Sequence, residues 1–159
     1  MSGTCDCAIV ESGTAAMGIG EEVRVLAICP AKTDCVALGN VFSHSKWRLD
    51  CVPTSEVGIR FLRENCVPVV ICSSRLPESD WKVILSEAVR QAVPPRVIVA
   101  FPAGGDELWS EVLDLGGYDV LAQPFHAAEV VRVVSLAWRQ WKHDWEKRQK
   151  RQTAGSPTD

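Results

Sequence analysis

The chain has 159 residues, 47% of them apolar and 23% charged, with a formal net charge of −3 at pH 7. That length and balance suit one globular domain, and the charge gives no global electrostatic basis for binding nucleic acid or an anionic membrane. No apolar run approaches the roughly 18 residues of a spanning helix, and the N-terminus lacks the basic-then-apolar order of a secretory leader, so a cytoplasmic protein is expected.

Residues 1–20 are rich in Gly, Ser, Thr and Ala without a sustained period and read as a flexible N-terminal tail. Cys5 and Cys7 flank Asp6 there, but no second Cys or His pair stands near them at zinc-site spacing, so no metal is assigned. The other five of the seven cysteines, Cys29, Cys35, Cys51, Cys66 and Cys72, lie in or beside apolar segments, where free Cys is a common small buried residue.

The domain begins at residue 21. Residues 23–29 (VRVLAIC) form a strand ended by Pro30. Thr33 or Asp34 then caps a helix with Cys35, Leu38, Val41 and Phe42 on one face. Residues 47–52 (WRLDCV) make a second, alternating strand. Thr54 or Ser55 caps a helix that turns Val57, Phe61 and Leu62 inward. Residues 67–72 (VPVVIC) are a continuous apolar run, the mark of a strand buried on both faces, and lead directly into Ser73 and Ser74. Ser79 or Asp80 caps the next helix, which carries Trp81, Ile84, Leu85 and Ala88 at i, i+3, i+4 and i+7.

Pro94-Pro95 stops that helix. Residues 96–101 (RVIVAF) are the fourth strand. Asp106 caps a helix whose stripe is Leu108, Val112 and Leu115, supported by Trp109 and Leu113, and Gly116-Gly117 ends it. Residues 118–122 (YDVLA) are the fifth strand. A last helix runs from about Ala127 to Arg148 with Val130, Val134, Ala137, Trp138, Trp141 and Trp145 on its apolar face. Residues 149–159 read as a flexible C-terminal tail. Five strands alternate with five helices, and every crossover is long enough for a helix. The fold class is therefore α/β, a doubly wound parallel sheet of order 2-1-3-4-5.

Three stretches, VVICSSRLP, PPRVIVAF and above all GGYDVLAQPF followed by AAEVVRVV, resemble the receiver domain of bacterial two-component response regulators, a flavodoxin-like (CheY-like) fold. The resemblance covers about residues 21–142 of a receiver-like domain spanning 21–148. It implies a site built from an acid pair after the first strand, a phosphoacceptor Asp after the third, a Thr or Ser after the fourth and a Lys after the fifth. Clustered carboxylates there would hold Mg²⁺, and the cation and Lys would stabilise the transferring phosphoryl group.

This chain departs from that pattern at nearly every position. Cys29 and Pro30 stand where the acid pair belongs, and Ser73 stands at the phosphoacceptor position. The Thr/Ser position falls on Ala100, or on Phe101 if the strand end shifts by one. Gln123 replaces the Lys, and Val120 takes the place of the family's reporting aromatic, although Tyr118 is near. Pro124 and Phe125 match, which makes Pro124 a candidate for a cis bond. Asp34 and Asp80, the nearest acids, read as helix caps. A serine with no neighbouring base or metal is not activated as a nucleophile.

The expectation is a degenerate pseudo-receiver that is not an enzyme, needs no cofactor or metal, and signals by binding a protein partner. The surface the resemblance implies draws on Trp109, Glu111, Tyr118, Arg132, Arg139, Trp141 and Trp145, with a homodimer through the last helix as one form. An alternative is a small-molecule sensor using the uncharged pocket at Cys29, Ser73, Ala100 and Gln123. Nucleic acid is not expected, because Asp144 and Glu146 interrupt the basic run of Lys142, Lys147, Arg148, Lys150 and Arg151.

Overall fold

A computed structural model of the chain describes residues 23–43, 47–76, 80–102 and 106–155. The strands are β1 (Arg24–Ile28), β2 (Arg48–Val52), β3 (Val69–Ser73), β4 (Arg96–Pro102) and β5 (Asp119–Gln123). The helices are α1 (Lys32–Phe42), α2 (Ser55–Glu64), α3 (Lys82–Ala88), α4 (Asp106–Asp114) and α5 (Ala127–Gly155). All four strand pairings are parallel, and the spatial order is β2-β1-β3-β4-β5. The expected architecture is therefore the one formed.

Side-chain alternation along the three inner strands explains why they read as unbroken apolar runs. Val25, Ala27, Val69, Ile71, Ile98 and Ala100 face a core layer closed by Leu38 and Phe42 of α1 and by Val130, Val133, Val134 and Ala137 of α5. Leu26, Ile28, Val70, Cys72, Val97 and Val99 face a second layer under α2, α3 and α4, filled by Leu62, Trp81, Ile84, Leu85, Ala88 and Val112. The edge strands β2 and β5 bury only Val52 and Leu121 fully, as expected of strands with one neighbour each.

Several local readings need correction. The N-cap of α1 is Ala31, with no side-chain cap, and the amides of Asp34 and Cys35 both turn to the Ala31 carbonyl. Asp34 thus sits inside the first turn, near the positive end of the helix, instead of capping it. Thr54 does cap α2, its Oγ1 accepting from the Val57 amide at 3.2 Å. Val57, however, is 37% exposed, while Ser55 and Gly58 are buried beside Leu62. A Cβ on Gly58 would lie 2.6 Å from Ile28 Cδ1, so a hydrogen at that position lets α2 settle on β1. The N-cap of α3 is Trp81, with no side-chain cap, while Asp80 one residue earlier accepts from the Lys82 amide at 3.3 Å through Oδ1; Ser79 lies outside the described residues.

Of the expected stripe, Val112 of α4 is fully buried while Leu115, just past the helix, is exposed, as are the supporting Trp109 and Leu113; the Leu108 side chain lies outside those described. The cause is the short helix and its end. Gly116 adopts φ +99°, and the Gly117 amide donates to the Val112 carbonyl at 2.8 Å, pulling the chain back over Val112. The last helix continues past Arg148 to Gly155, into the segment expected to be tail. Its inward face includes Val133, which the sequence reading omitted. The expected N-terminal tail, Cys5 and Cys7 included, lies outside the described residues.

Candidate functional site

The carboxyl ends of β1, β3, β4 and β5 bring the expected positions to one end of the sheet. Ser73 is the last residue of β3 and pairs in register with Ala100. Of the two positions open for the Thr/Ser site, Ala100 is thus the one beside Ser73. Gln123 closes β5 opposite Pro102, and the Gln123–Pro124 peptide is cis. Cys29 follows β1, its amide donating to the Val52 carbonyl at 3.0 Å.

The site is packed. Cys29 is 2% exposed, Ser73 6% and Ala100 0%. The Ser74 amide donates to the Ala100 carbonyl at 2.8 Å, which carries the turn across the top of β4. Ser73 Oγ accepts from the Arg75 amide at 3.0 Å, so the hydroxyl serves its own turn. Three of the four side chains expected to line an uncharged ligand pocket, Cys29, Ser73 and Ala100, are here buried, and Gln123 is half-buried.

The electrostatics follow from that packing. Burial, with smaller contributions from Cys35 and Asp34, pushes the Cys29 thiol far above its ordinary range. Burial likewise pushes Cys72 up to about 12. Cys51 is pushed up to about 12 by partial burial and by its hydrogen bond with Cys35. Cys35 Sγ in turn lies 3.9 Å from the Cys29 carbonyl oxygen. The Cys29, Cys51 and Cys72 thiols stay protonated at neutral pH and are weak nucleophiles and weak metal ligands. Among the described residues, no group of three or more His, Cys, Asp or Glu is arranged to hold a metal ion. Asp80 is spent on its helix start and on Lys82, at 4.0 Å.

The residues expected on a partner surface divide. Trp109 is 49% exposed, and Arg132 and Arg139 are exposed on α5. Glu111 bridges to Lys82 at 2.8 Å, tying α4 to α3. Tyr118 is half-buried against the α1/α5 core layer. Trp141 is not a surface residue: it is 8% exposed, and its indole N–H donates to the Val93 carbonyl at 3.3 Å. Trp145 is half-buried and stacks on Trp141, with ring centroids 6.1 Å apart and planes 16° apart. A tryptophan pair that binds its own chain satisfies the apolar area that sequence alone assigned to a partner.

No known family profile matches the sequence, and no curated protein matches it. Solved structures do. The response regulator receiver domain from Clostridium thermocellum superimposes with a TM-score of 0.69 at 20% identity, covering 76% of this chain and 97% of that one. The signal receiver domain of an HD domain-containing protein from Pseudomonas fluorescens Pf-5 gives 0.72 at 17% identity, covering 79% and 93%. A CheY-like receiver domain protein from Methanospirillum hungatei JF-1 gives 0.68 at 10% identity, covering 77% and 98%. The fold is the one these receiver domains share, a CheY-like fold. At the positions named by the sequence resemblance this chain places Cys29, Ser73, Ala100 and Gln123, none of which carries a carboxylate or an ammonium group.

Proposed function

We propose that this domain is a receiver-like signalling module that accepts no phosphoryl group on Asp and acts by contact with a protein partner in the cytoplasm. One observation carries the reading. The positions that gather at the strand ends, Cys29, Ser73, Ala100 and Gln123, bear no carboxylate and no ammonium group, and three of the four are buried. Phosphoryl transfer depends almost wholly on charge placed around the transferring group, so an uncharged, closed site supplies neither a cation clamp nor an acceptor. The partner surface falls on α4 and α5, around Trp109, Arg132 and Arg139, with Glu111 and Tyr118 beside it; the buried Trp141 is withdrawn from it.

The test has two parts. Incubation with acetyl phosphate and Mg²⁺, read by intact mass, is expected to leave the mass unchanged, and beryllofluoride is expected to leave the tryptophan fluorescence unchanged. A phosphoryl adduct overturns the first half of the proposal. A folded Trp109→Ser, Arg132→Glu variant that keeps the self-association and every protein contact of the wild type overturns the second.

A further inference from the structure

The opposite end of the sheet carries a different chemistry. A cleft of about 370 Å³ opens between the connector that leads into β4 and the final stretch of α5. Ala92, Val93 and Pro94 form one wall, and Asp144, Lys147, Arg148 and Arg151 form the other. These four α5 residues stand at i, i+3, i+4 and i+7, a single stripe on a helix of 3.6 residues per turn. The connector is held against that stripe by the Trp141 indole, which donates to the Val93 carbonyl. Both walls are therefore anchored.

The charge in the cleft is not balanced from within. Its one acid, Asp144, is engaged by Arg96 at the start of β4, and that guanidinium also donates to the Gln140 carbonyl at 3.4 Å. Among the described residues, no carboxylate lies in ion-pair range of Lys147, Arg148 or Arg151. The negative end of a helix dipole favours cations near a C-terminus, wherever they point around the axis. It does not explain why three of them share the stripe that faces a wall, where their mutual repulsion is greatest. Lys147, Arg148 and Arg151 are exposed to solvent at the cleft; Lys150, on the same turn and equally exposed, does not line it.

We propose that this cleft binds a phosphate- or diphosphate-bearing small molecule, with the anion on Lys147, Arg148 and Arg151 and the remainder against Ala92, Val93 and Pro94. Two guanidinium forks and an ammonium suit phosphate oxygens, and paired N–H donors give bidentate contacts that a single Lys does not. The volume lies within the range of small-ligand sites, about 300–1,000 Å³. The site is separate from the strand-end positions, so it stands or falls independently of whether those have lost phosphoryl chemistry.

The test is isothermal titration of the full chain, at fixed salt, with inorganic pyrophosphate and with a nucleoside diphosphate. Saturable one-to-one binding of at least one is expected. Tighter binding of the nucleotide assigns a role to the connector wall, and equal or tighter binding of pyrophosphate assigns the affinity to the anion alone. Combined Lys147→Gln, Arg148→Gln and Arg151→Gln is expected to weaken binding by at least about tenfold, given the strength of charge-assisted hydrogen bonds. Ala92→Glu, which places a carboxylate in the cleft and leaves the helix untouched, is expected to weaken it similarly, and Lys150→Gln is expected to leave it nearly unchanged. No saturable binding of either probe at millimolar concentration overturns the proposal. An equal loss in Lys150→Gln overturns it too, because the attraction is then diffuse. Tighter binding of a single-stranded oligonucleotide than of both probes, with a steep salt dependence, reassigns the stripe to nucleic acid and likewise overturns it.

Discussion

Replacing Ser73 by Asp puts the acceptor side chain of a phosphorylatable receiver back at the end of β3, and the structure predicts the cost. Ser73 is 6% exposed and neighbours the buried Ala100 and the close of β1. An Asp there keeps the turn acceptor for the Arg75 amide but gains neither a cation nor a basic partner. Desolvation disfavours its charged form, so its folded pKa rises. An ordinary Asp ionises near pH 3.9, so holding it protonated at pH 7 costs about 4 kcal/mol, at about 1.4 kcal/mol for each pH unit. That is a large part of the roughly 5–15 kcal/mol that stabilises a domain.

The sign is fixed by linkage. Below about pH 3.9 both states are protonated and no penalty exists; as pH rises the unfolded chain releases the proton first, and the penalty grows until the folded pKa is reached. Urea unfolding of Ser73→Asp at pH 5 and at pH 7 should therefore differ, relative to wild type, by about 2–3 kcal/mol. The neutral Ser73→Asn variant should show no such dependence, and Mg²⁺ should restore nothing. A Ser73→Asp protein equally stable at both pH values, or stabilised by Mg²⁺, would refute the conclusion that the strand-end site is closed and uncharged.

Three further outcomes are expected. Trp141→Ala should cost about 3–5 kcal/mol in urea unfolding, as removal of a large buried aromatic does, and more than the same change at the exposed Trp109. Gly117→Ala should lower stability by about 1–3 kcal/mol through overpacking, because its Cβ would lie 2.4 Å from Val112 Cγ1; thermal melting beside Gly116→Ala, where only the φ of +99° is strained, separates packing from backbone conformation. Burial raises the Cys72 thiol to about 12 from about 9, so the unfolded chain loses that proton first above pH 9; the stability advantage of wild type over Cys72→Ala should shrink by about 1.4 kcal/mol per pH unit between those values.

The inner strands were legible in the sequence because covering both faces of a parallel sheet requires the central residues of β1, β3 and β4 to be apolar, leaving only Arg24, Arg96 and Ser73 at strand ends polar. The α3 stripe was legible for the same kind of reason: Trp81, Ile84, Leu85 and Ala88 admit only one inward face. The α4 stripe was not, because Trp109, Val112, Leu113 and Leu115 surround a short helix on several sides, and the turn at Gly116-Gly117 decides that Val112 is the residue buried. Gly58 illustrates a second limit. Hydrophobic periodicity selects Val57 as the inward residue, whereas close approach of α2 to Ile28 selects the residue with no side chain.

At the candidate site, Cys29, Ser73, Ala100 and Gln123 lie at or beside the carboxyl ends of their strands, but their packing was not legible in the sequence. The hydrogen bond between Cys35 and Cys51 and the turn from Ser73 to Arg75 are tertiary and local-geometry facts that spacing does not encode. The Trp141–Val93 contact joins residues 48 apart, and without it the indole reads as free for a partner. The sequence reading ended the last helix at Arg148 and left Arg151 in the tail, so the stripe of Asp144, Lys147, Arg148 and Arg151 follows only from the helix's continuation to Gly155 and the connector facing it.

The two ends of the sheet differ in a way that bears on where activity resides. A phosphorylatable receiver keeps several carboxylates close together, an arrangement that repels itself and is stable only when a cation or a reaction needs it. Here, among the described residues, Cys29, Ser73 and Ala100 are buried at that end and the Ser73 hydroxyl accepts from its own turn. The unfavourable arrangement is at the other end, where three cations share one helix stripe against an anchored wall and, among the described residues, no carboxylate lies in ion-pair range of them. Local rules are broken in folded proteins chiefly where a function requires it. By that criterion Ser73 marks a position absorbed into the core, and the cleft beside Val93 is the place where the sequence still departs from what stability alone would choose.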